Sequence, residues 1–497
     1  MTTAATTTTS PRENAATAPR LSGNLGVADI IFMVMATSAP LTVIAGVYPV
    51  GFAYGNGAGF PAVYLGLGIL LLLFAAGFTA MTRKIPNPGA FFTYIAHGLG
   101  RPLGLAGAYT ALLCYVCIEL AVVGFIGYDV SVTLSDAAGI HIHWIVFAAI
   151  AWLLIAYMGY RHIELSAKVL GVLLIIEMGI SLLLSLVILA QGGAQGLDAH
   201  SFTWAGIIAG VPALSIMFAA ASFIGFESTA IYRDEARHPE KTIPRATYGA
   251  VVLLGLFYSF TCWAFVMAWG SSHIAERAAS DPSLLFSTTS AYLGVVGKGF
   301  IQVFLITSIF AVTLAFHNVI ARYLHALSGV RALPGYLSRM GHDGGPSAAS
   351  LTTSAGIGIL VLITLVTGLK PYANTFVWFA GLGTMAYLIV LAACCVAVVV
   401  YFAANARRRE GESFWAVIVC PLIAAIGLGY ADYITIANFP LLVGDVDAQG
   451  NPEFGGLSAW LLALFIAVIV LGLVQAYVLR ARNRRAYDGI TESGSDL

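Results

Sequence analysis

The sequence predicts an all-α integral membrane protein with twelve transmembrane helices, and three observations carry that prediction. First, hydrophobic residues make up 59% of the 497 positions and charged residues only 10%, with a mean hydropathy of +0.87. A soluble domain carries roughly 25% charged residues, so this chain is built to face lipid. Second, apolar runs of about 20 residues or more, enough to cross a bilayer, recur near 27–54, 60–82, 104–133, 142–160, 166–191, 207–231, 245–270, 294–324, 351–369, 373–403, 413–437 and 457–479. Third, a cytoplasmic N-terminus puts every lysine and arginine on the inside except Arg277, Lys298 and Lys370, out of 24. That asymmetry is the positive-inside pattern expected of an even number of spans with both termini cytoplasmic.

The elements follow in order. Residues 1–24 are rich in Thr and Ala without apolar periodicity and read as a disordered cytoplasmic tail; they lack the apolar core of a cleaved signal peptide. The first span is interrupted by Ala36-Thr37-Ser38-Ala39-Pro40. Spans two to five carry no comparable break. The sixth is interrupted by Ser222-Phe223-Ile224-Gly225-Phe226-Glu227. The charged connections near 233–245, 328–349 and 404–412 are too short to hold a core of their own. Residues 404–480 add two further spans, and 481–497 form a cytoplasmic C-terminal tail. All six cysteines lie within or at the ends of spans. Cys114 and Cys117 have C-x-x-C spacing, but no second ligand pair accompanies them, so they read as small helix-packing residues.

Each break has a chemical consequence. Pro40 has no N–H and its ring crowds the carbonyl four residues back, which predicts that the Ala36 oxygen loses its helical partner. The amides of Leu41, Thr42 and Val43 then open a second half-helix whose N–H groups favour an anion such as a substrate carboxylate. Thr37, Ser38 and Thr42 add hydroxyls at the same level. In the sixth span, Gly225 lets the backbone leave helical angles and frees carbonyls near Ala221, Ser222 and Phe223, which suit an ammonium. Phe223 and Phe226 offer an apolar or cation–π wall. Such a pair fits a zwitterion. The bland alternative is a pair of kinks, since proline and glycine are frequent in membrane helices; two interrupted helices in corresponding halves of a chain point instead to a transporter site.

Several segments resemble the amino acid–polyamine–organocation superfamily. Gly225-Phe226-Glu227 with Asp234-Glu235-Ala236-Arg237-His238-Pro239-Glu240-Lys241-Thr242-Ile243-Pro244-Arg245-Ala246 looks like its GFE…E…P-x-x-x-I-P-R-A stretch. Pro86-Asn87-Pro88-Gly89-Ala90-Phe91-Phe92-Thr93-Tyr94 is similar to its loop after span two, and Ala321-Arg322-Tyr323-Leu324-His325-Ala326-Leu327 with Leu333-Pro334 to its end of span eight. The resemblance implies a five-plus-five inverted repeat (25–191 and 205–403, together the ten-helix core 25–403) with spans one and six unwound, and amino acids or related amines as substrates. By position it puts Ser38, Ala39 and Leu41 at the carboxylate-binding stretch and Phe223, Gly225 and Glu227 at the substrate and gating region. Ser-Ala-Pro stands where many members carry a glycine-rich triplet.

Ionisable groups at bilayer depth are Glu119, Glu177, Glu227, His317 and Asp432. Such groups usually face a cavity or a partner. Glu227 adjoins the break and reads either as a substrate or proton group or as a cap on the unwound amides. Glu177 is the ionisable group in the middle of span five, near where several relatives place a lysine, and reads as a proton carrier or as polar glue between helices. Glu119 reads as a cavity carboxylate for a cationic substrate or proton, or as a structural contact. Around Ala311, Val312 and Thr313 only one hydroxyl is present, which leans against sodium coupling.

The expectation is a secondary transporter of the cytoplasmic membrane that imports an amino acid by alternating access, with protons as the coupling ion. The alternative is a polyamine or cationic amine carrier or an exchanger. The site residues are Ala36, Thr37, Ser38, Ala39, Pro40, Leu41, Thr42, Ser222, Phe223, Gly225, Phe226 and Glu227, with Glu177, Glu227 and Glu119 for protons. No cofactor, metal or nucleic acid is called for, and the partners are a small-molecule substrate (an amino acid or amine), the coupling proton, the lipid bilayer and, as a homodimer, a second copy of the chain if it is not a monomer. An intramembrane enzyme would need a His-x-x-x-His or nucleophile–base set at one depth, whereas His141 and His143 sit two apart in an outside loop. A P-loop is absent, which argues against ATP-driven transport. A channel would need a continuous polar path, and the spans are apolar around two discrete breaks.

Overall fold

Nearly every stretch of this chain is apolar enough to need its backbone groups satisfied internally, and in lipid a helix does that within one segment. The computed structural model describes residues 25–85, 90–161, 167–341 and 345–491. Its regular structure is helical, and only two isolated bridge pairs, Leu25 with Ala236 and Val446 with Pro452, depart from that among the described residues.

The first span consists of α1 (Val27–Ser38) and α2 (Pro40–Tyr54). There follow α3 (Phe60–Lys84), α4 (Ala90–Leu99), α5 (Arg101–Ala138), α6 (Trp144–Tyr160) and α7 (Ala167–Ala190). The sixth span starts as α8 (Pro212–Ala221) and continues after a break as a 3-10 segment, Phe226–Glu235. Then come α9 (Pro239–Trp269), the short α10 (Ile274–Ser280), α11 (Leu284–Gly329), α12 (Ser347–Val366), α13 (Val377–Ala403), α14 (Cys420–Val443), α15 (Gly456–Arg482) and α16 (Arg484–Asp488).

Among the described residues, eleven segments are long and apolar enough to cross a membrane. The run near 142–160 forms α6, whose 17 residues reach only about 25 Å at 1.5 Å per residue, so it is the short member of the predicted set. Other boundaries differ for local reasons. Residues 90–94, read as part of a loop, begin α4, while Pro86–Gly89 of that motif lie outside the described residues, as do residues 1–24. α9 begins at Pro239, ahead of the predicted 245, because His238 turns into the left-handed region (φ 53) and Pro239 provides the preset first position. α11 runs for 46 residues only because two helices join at Gly294, where φ is 69 and ψ −171; the apolar run expected near 294–324 begins at that kink. The C-terminal segment, read as tail, carries α16, and Arg101 holds it with an ion pair to Asp488 (3.0 Å).

α1 packs against α7, α9, α11 and the 3-10 segment of span six, and α2 against α8 and α11. The two interrupted spans are thereby brought side by side in the core.

Candidate functional site

At the first break α1 stops at Ser38, and Ala39 takes a left-handed conformation (φ 43, ψ 72) before Pro40 opens α2. A non-glycine residue there is strained by roughly 1–2 kcal/mol, and the break persists because its neighbours hold it. The Ser38 carbonyl accepts from the Tyr258 hydroxyl (3.3 Å), and Tyr48 on α2 donates to the Tyr258 carbonyl (3.0 Å). The freed Ala36 carbonyl expected from Pro40 is taken up again, since the Ala39 N–H donates to it at 3.1 Å. Thr37 and Ser38 turn their hydroxyls back to the carbonyls of Met33 and Val34.

At the second break the chain leaves α8 through tight turns. Ile224 N–H donates to Ala221 O (3.2 Å) and Phe226 N–H to Phe223 O (3.2 Å), around Gly225 at φ +112. The breaks touch: a Cβ built on Gly225 would lie 3.0 Å from Cγ2 of Thr37, and the Ser38 hydroxyl reaches Ile224 O at 3.5 Å. Glycine is therefore required twice at 225, by angle and by space.

A cavity of about 50 Å³ lies between the breaks, lined by Thr37, Ser38, Ala39 and Thr42 from the first and by Ala221 and Ile224 from the second. Its remaining walls are Val43 and Val47 of α2, Ile118, Ala121 and Val122 of α5, Val312 and Phe316 of α11, and Phe376 and Ala380 at and beyond the start of α13. Among the described residues no charged side chain lines it. Phe376 closes one side: it stacks on Tyr372 (5.5 Å between ring centroids), packs on Phe125 (4.9 Å), and Tyr372 donates to Gly46 O (2.9 Å). The walls from α5, α11 and α13 escaped the sequence reading, because Val, Ile, Ala and Phe at these positions look like any other apolar residue of a span.

Other predicted residues lie around the cavity and not in its wall. Ser222 bonds Phe218 O and the Tyr64 hydroxyl (3.0 Å). Phe223 packs against Tyr64 and Tyr258, and Phe226 stands edge-on to Phe74 at 5.7 Å. Both rings are completely buried. Glu227 is buried too: Oε1 accepts from Tyr115 (2.9 Å), and Oε2 accepts from the Gly225 N–H (2.9 Å) and Tyr387 (3.2 Å). One carboxyl thus ties the second break to α5 and α13.

Glu177 sits behind the first break. Ser308 donates to its Oε2 (2.9 Å), and Thr42 donates to Ser308 (3.0 Å). The Leu41 N–H interacts with the same carboxyl. The start of α2, predicted to attract a substrate carboxylate, is thus faced by a carboxyl of the protein itself, where the helix dipole favours negative charge. A void of about 10 Å³ among Ala36, Leu173, Leu174, Glu177, Ser308 and Ala311 has room for roughly one water.

Glu119 faces neither break. Its Oε1 meets Nδ1 of His317 at 2.9 Å, and the far nitrogen of that ring meets the Ser350 hydroxyl at 3.0 Å. Both members of the pair are 1% exposed, and Oε2 of Glu119 has no hydrogen-bond partner among the described residues. The pair joins α5, α11 and α12, with Gly159 of α6 packed on the His317 ring. Removing one member of a buried hydrogen-bonded pair leaves the other unsatisfied, at about 1–3 kcal/mol. His317→Ala is expected to lower the melting temperature of the purified protein markedly while Thr352→Ala, on the neighbouring α12, leaves it nearly unchanged; equal small shifts would mean that the pair adds nothing.

All six cysteines are free, and among the described residues no group of three His, Cys, Asp or Glu residues is placed to hold a metal ion.

Among curated proteins, the low-affinity putrescine importer PlaP of Escherichia coli K12 is 21% identical over 281 residues, covering 54% of this chain and 58% of the importer. PlaP of Escherichia coli O157:H7 matches with the same values. The chain thus spans 58% of the length of these relatives. The model of the family described as amino acid permease matches residues 29–488, nearly the whole chain, and the protein belongs to that family.

Proposed function

We propose that the protein is a secondary transporter of the cytoplasmic membrane that imports a small apolar amino acid with protons. Family membership makes it a multi-pass membrane transporter of amino acids or amines and not an enzyme. The finer reading rests on one observation: the cavity between the breaks has hydroxyls and half-helix ends on two sides, hydrocarbon elsewhere and no charged lining. A zwitterion can place its carboxylate and ammonium on backbone groups of the breaks. A diamine would bring a second ammonium to a wall without a carboxylate, since Glu227 is spent on two tyrosines and a backbone amide and Glu119 faces His317 and not the cavity.

In this reading residues 25–191 and 205–403 form two inverted repeats, α6 counts as the fourth of twelve spans, and 404–480 adds the last two. Both termini are cytoplasmic. Alternating access turns on movement of the two breaks against α5, α11 and α13, with Phe376 and Phe316 closing over the substrate. Glu177 carries the coupling proton and Glu227 holds the unwound segment.

A putrescine or other amine carrier is the second reading, favoured by the similarity to a low-affinity putrescine importer. Uptake of radiolabelled alanine, valine and putrescine into proteoliposomes with an inward proton gradient separates the two. Saturable amino acid uptake that putrescine does not inhibit is expected. Uptake of putrescine alone would overturn the assignment of a zwitterionic substrate.

A further inference from the structure

A second cavity, of about 930 Å³, lies at the far end of α5, beside the kink in α11. Its position is remote from the breaks, on the side opposite the arginine-rich connections. Among its lining residues are Thr133 and Asp136 from α5 and Phe286, Val295, Lys298 and Gln302 from α11. Its size is near the upper end for small-molecule pockets and exceeds what a free amino acid fills.

The charges around it are not equivalent. Asp281 is fully used: Oδ2 accepts from Arg277 (2.9 Å) and Ser287 (2.5 Å), and Oδ1 from the Ser283 N–H (3.0 Å). Asp129 lies beneath the floor, buried, with Gln302 donating to it at 2.8 Å. Asp136 and Lys298, by contrast, line the cavity without a hydrogen bond or ion pair among the described residues. One unpaired carboxylate and one unpaired ammonium therefore look into the same space, and they match a ligand that carries an ammonium and an anionic group.

The surroundings choose between a solute and a lipid. Past the Gly294 kink, Val295, Val296, Phe300 and Val303 are exposed by 57–80%, so the cavity runs directly into an apolar stripe along α11. Lys298 lies four residues inside the kink, about 6 Å deeper at 1.5 Å per residue, a depth from which a lysine reaches the interface with its ammonium. A solute site would be walled off from lipid; this one is continuous with it.

We infer that the cavity seats the head group of an aminophospholipid. The primary ammonium lies on Asp136, the phosphate lies on Lys298, and an acyl chain follows Val296, Phe300 and Val303. The site is independent of the transport reading, since no residue of the breaks contributes to it.

Native mass spectrometry of the full-length protein, with phosphatidylethanolamine, phosphatidylcholine and phosphatidylglycerol of identical chains, tests this. Phosphatidylcholine keeps the phosphate but its trimethylated ammonium cannot donate to Asp136. Phosphatidylethanolamine is expected to be retained about tenfold better, the worth of one charge-assisted hydrogen bond. Asp136→Asn should bring it down to the phosphatidylcholine level. Lys298→Gln should weaken both, and Lys298→Arg should restore them. Equal retention of the three lipids, or indifference to both substitutions, overturns the inference. So does stabilisation of delipidated protein by a free amino acid that is lost in Asp136→Asn, which would assign the cavity to a soluble zwitterion.

Discussion

Gly225→Val is expected to reduce uptake at least tenfold while leaving the protein in the membrane. Valine at φ +112 occupies a region that β-branched residues avoid, at a cost of order 1–3 kcal/mol. Its Cβ would also press on Thr37, 3.0 Å away, and so push the two breaks apart. The N–H of residue 225 would turn, and the Glu227 carboxyl would lose one of three donors. Because the lesion sits where the broken spans meet and not in a helix body, the loss should fall on transport before it falls on folding. Gly225→Ala should be intermediate, with the same strained angle but no branching. Initial uptake rates, normalised to folded protein by size-exclusion chromatography, check this. Wild-type rates for the valine variant would mean that the contact between the breaks plays no part in transport. Val252→Ala, on a lipid-exposed position of α9, serves as the neutral comparison.

The sequence made the class and most of the spans legible, because hydropathy and the sorting of Lys and Arg act over whole segments. The breaks were legible too, since Pro40 and Gly225 change what a backbone can do wherever they stand. What could not be read was which side of each helix meets which neighbour. Phe223 and Phe226 adjoin a break and were expected to wall the site, yet they pack against Tyr64, Tyr258 and Phe74, while Phe316 and Phe376 reach the cavity from distant spans. Glu119 and His317 are 198 positions apart, and nothing in a single sequence ties them. Glu177 was visible as a charge in an apolar run, but its station opposite Leu41 depends on how α7 leans on the first span.

Glu177→Gln is expected to abolish accumulation driven by a proton gradient while sparing exchange of substrate across the membrane. Glutamine keeps the length of the side chain and still accepts from Ser308, which lies 2.9 Å from the native carboxyl. It also still faces the Leu41 N–H. What it cannot do is gain or lose a proton. In the wild type, the charged carboxylate is drawn to the start of α2 by the helix dipole and the Ser308 hydroxyl, which holds the first break against α7 and α11. In the proposed mechanism protonation removes the charge and weakens that hold, which would link the state of the proton to the position of α2, as any coupling between two sites must be. Fixing residue 177 as a neutral amide uncouples them. Uptake under an inward proton gradient should fall about tenfold or more, towards the level without a gradient, a loss of about 1.4 kcal/mol of driving advantage. Counterflow with substrate on both sides should stay within a few-fold of wild type, because it needs the cavity and the breaks but no net proton movement. Ser308→Ala should weaken coupling less, since the dipole contact remains. The decisive comparison is the ratio of gradient-driven uptake to counterflow. If Glu177→Gln still concentrates substrate as wild type does, the proton travels elsewhere or not at all, and Glu177 is left with the structural work of pinning α7 to the first break.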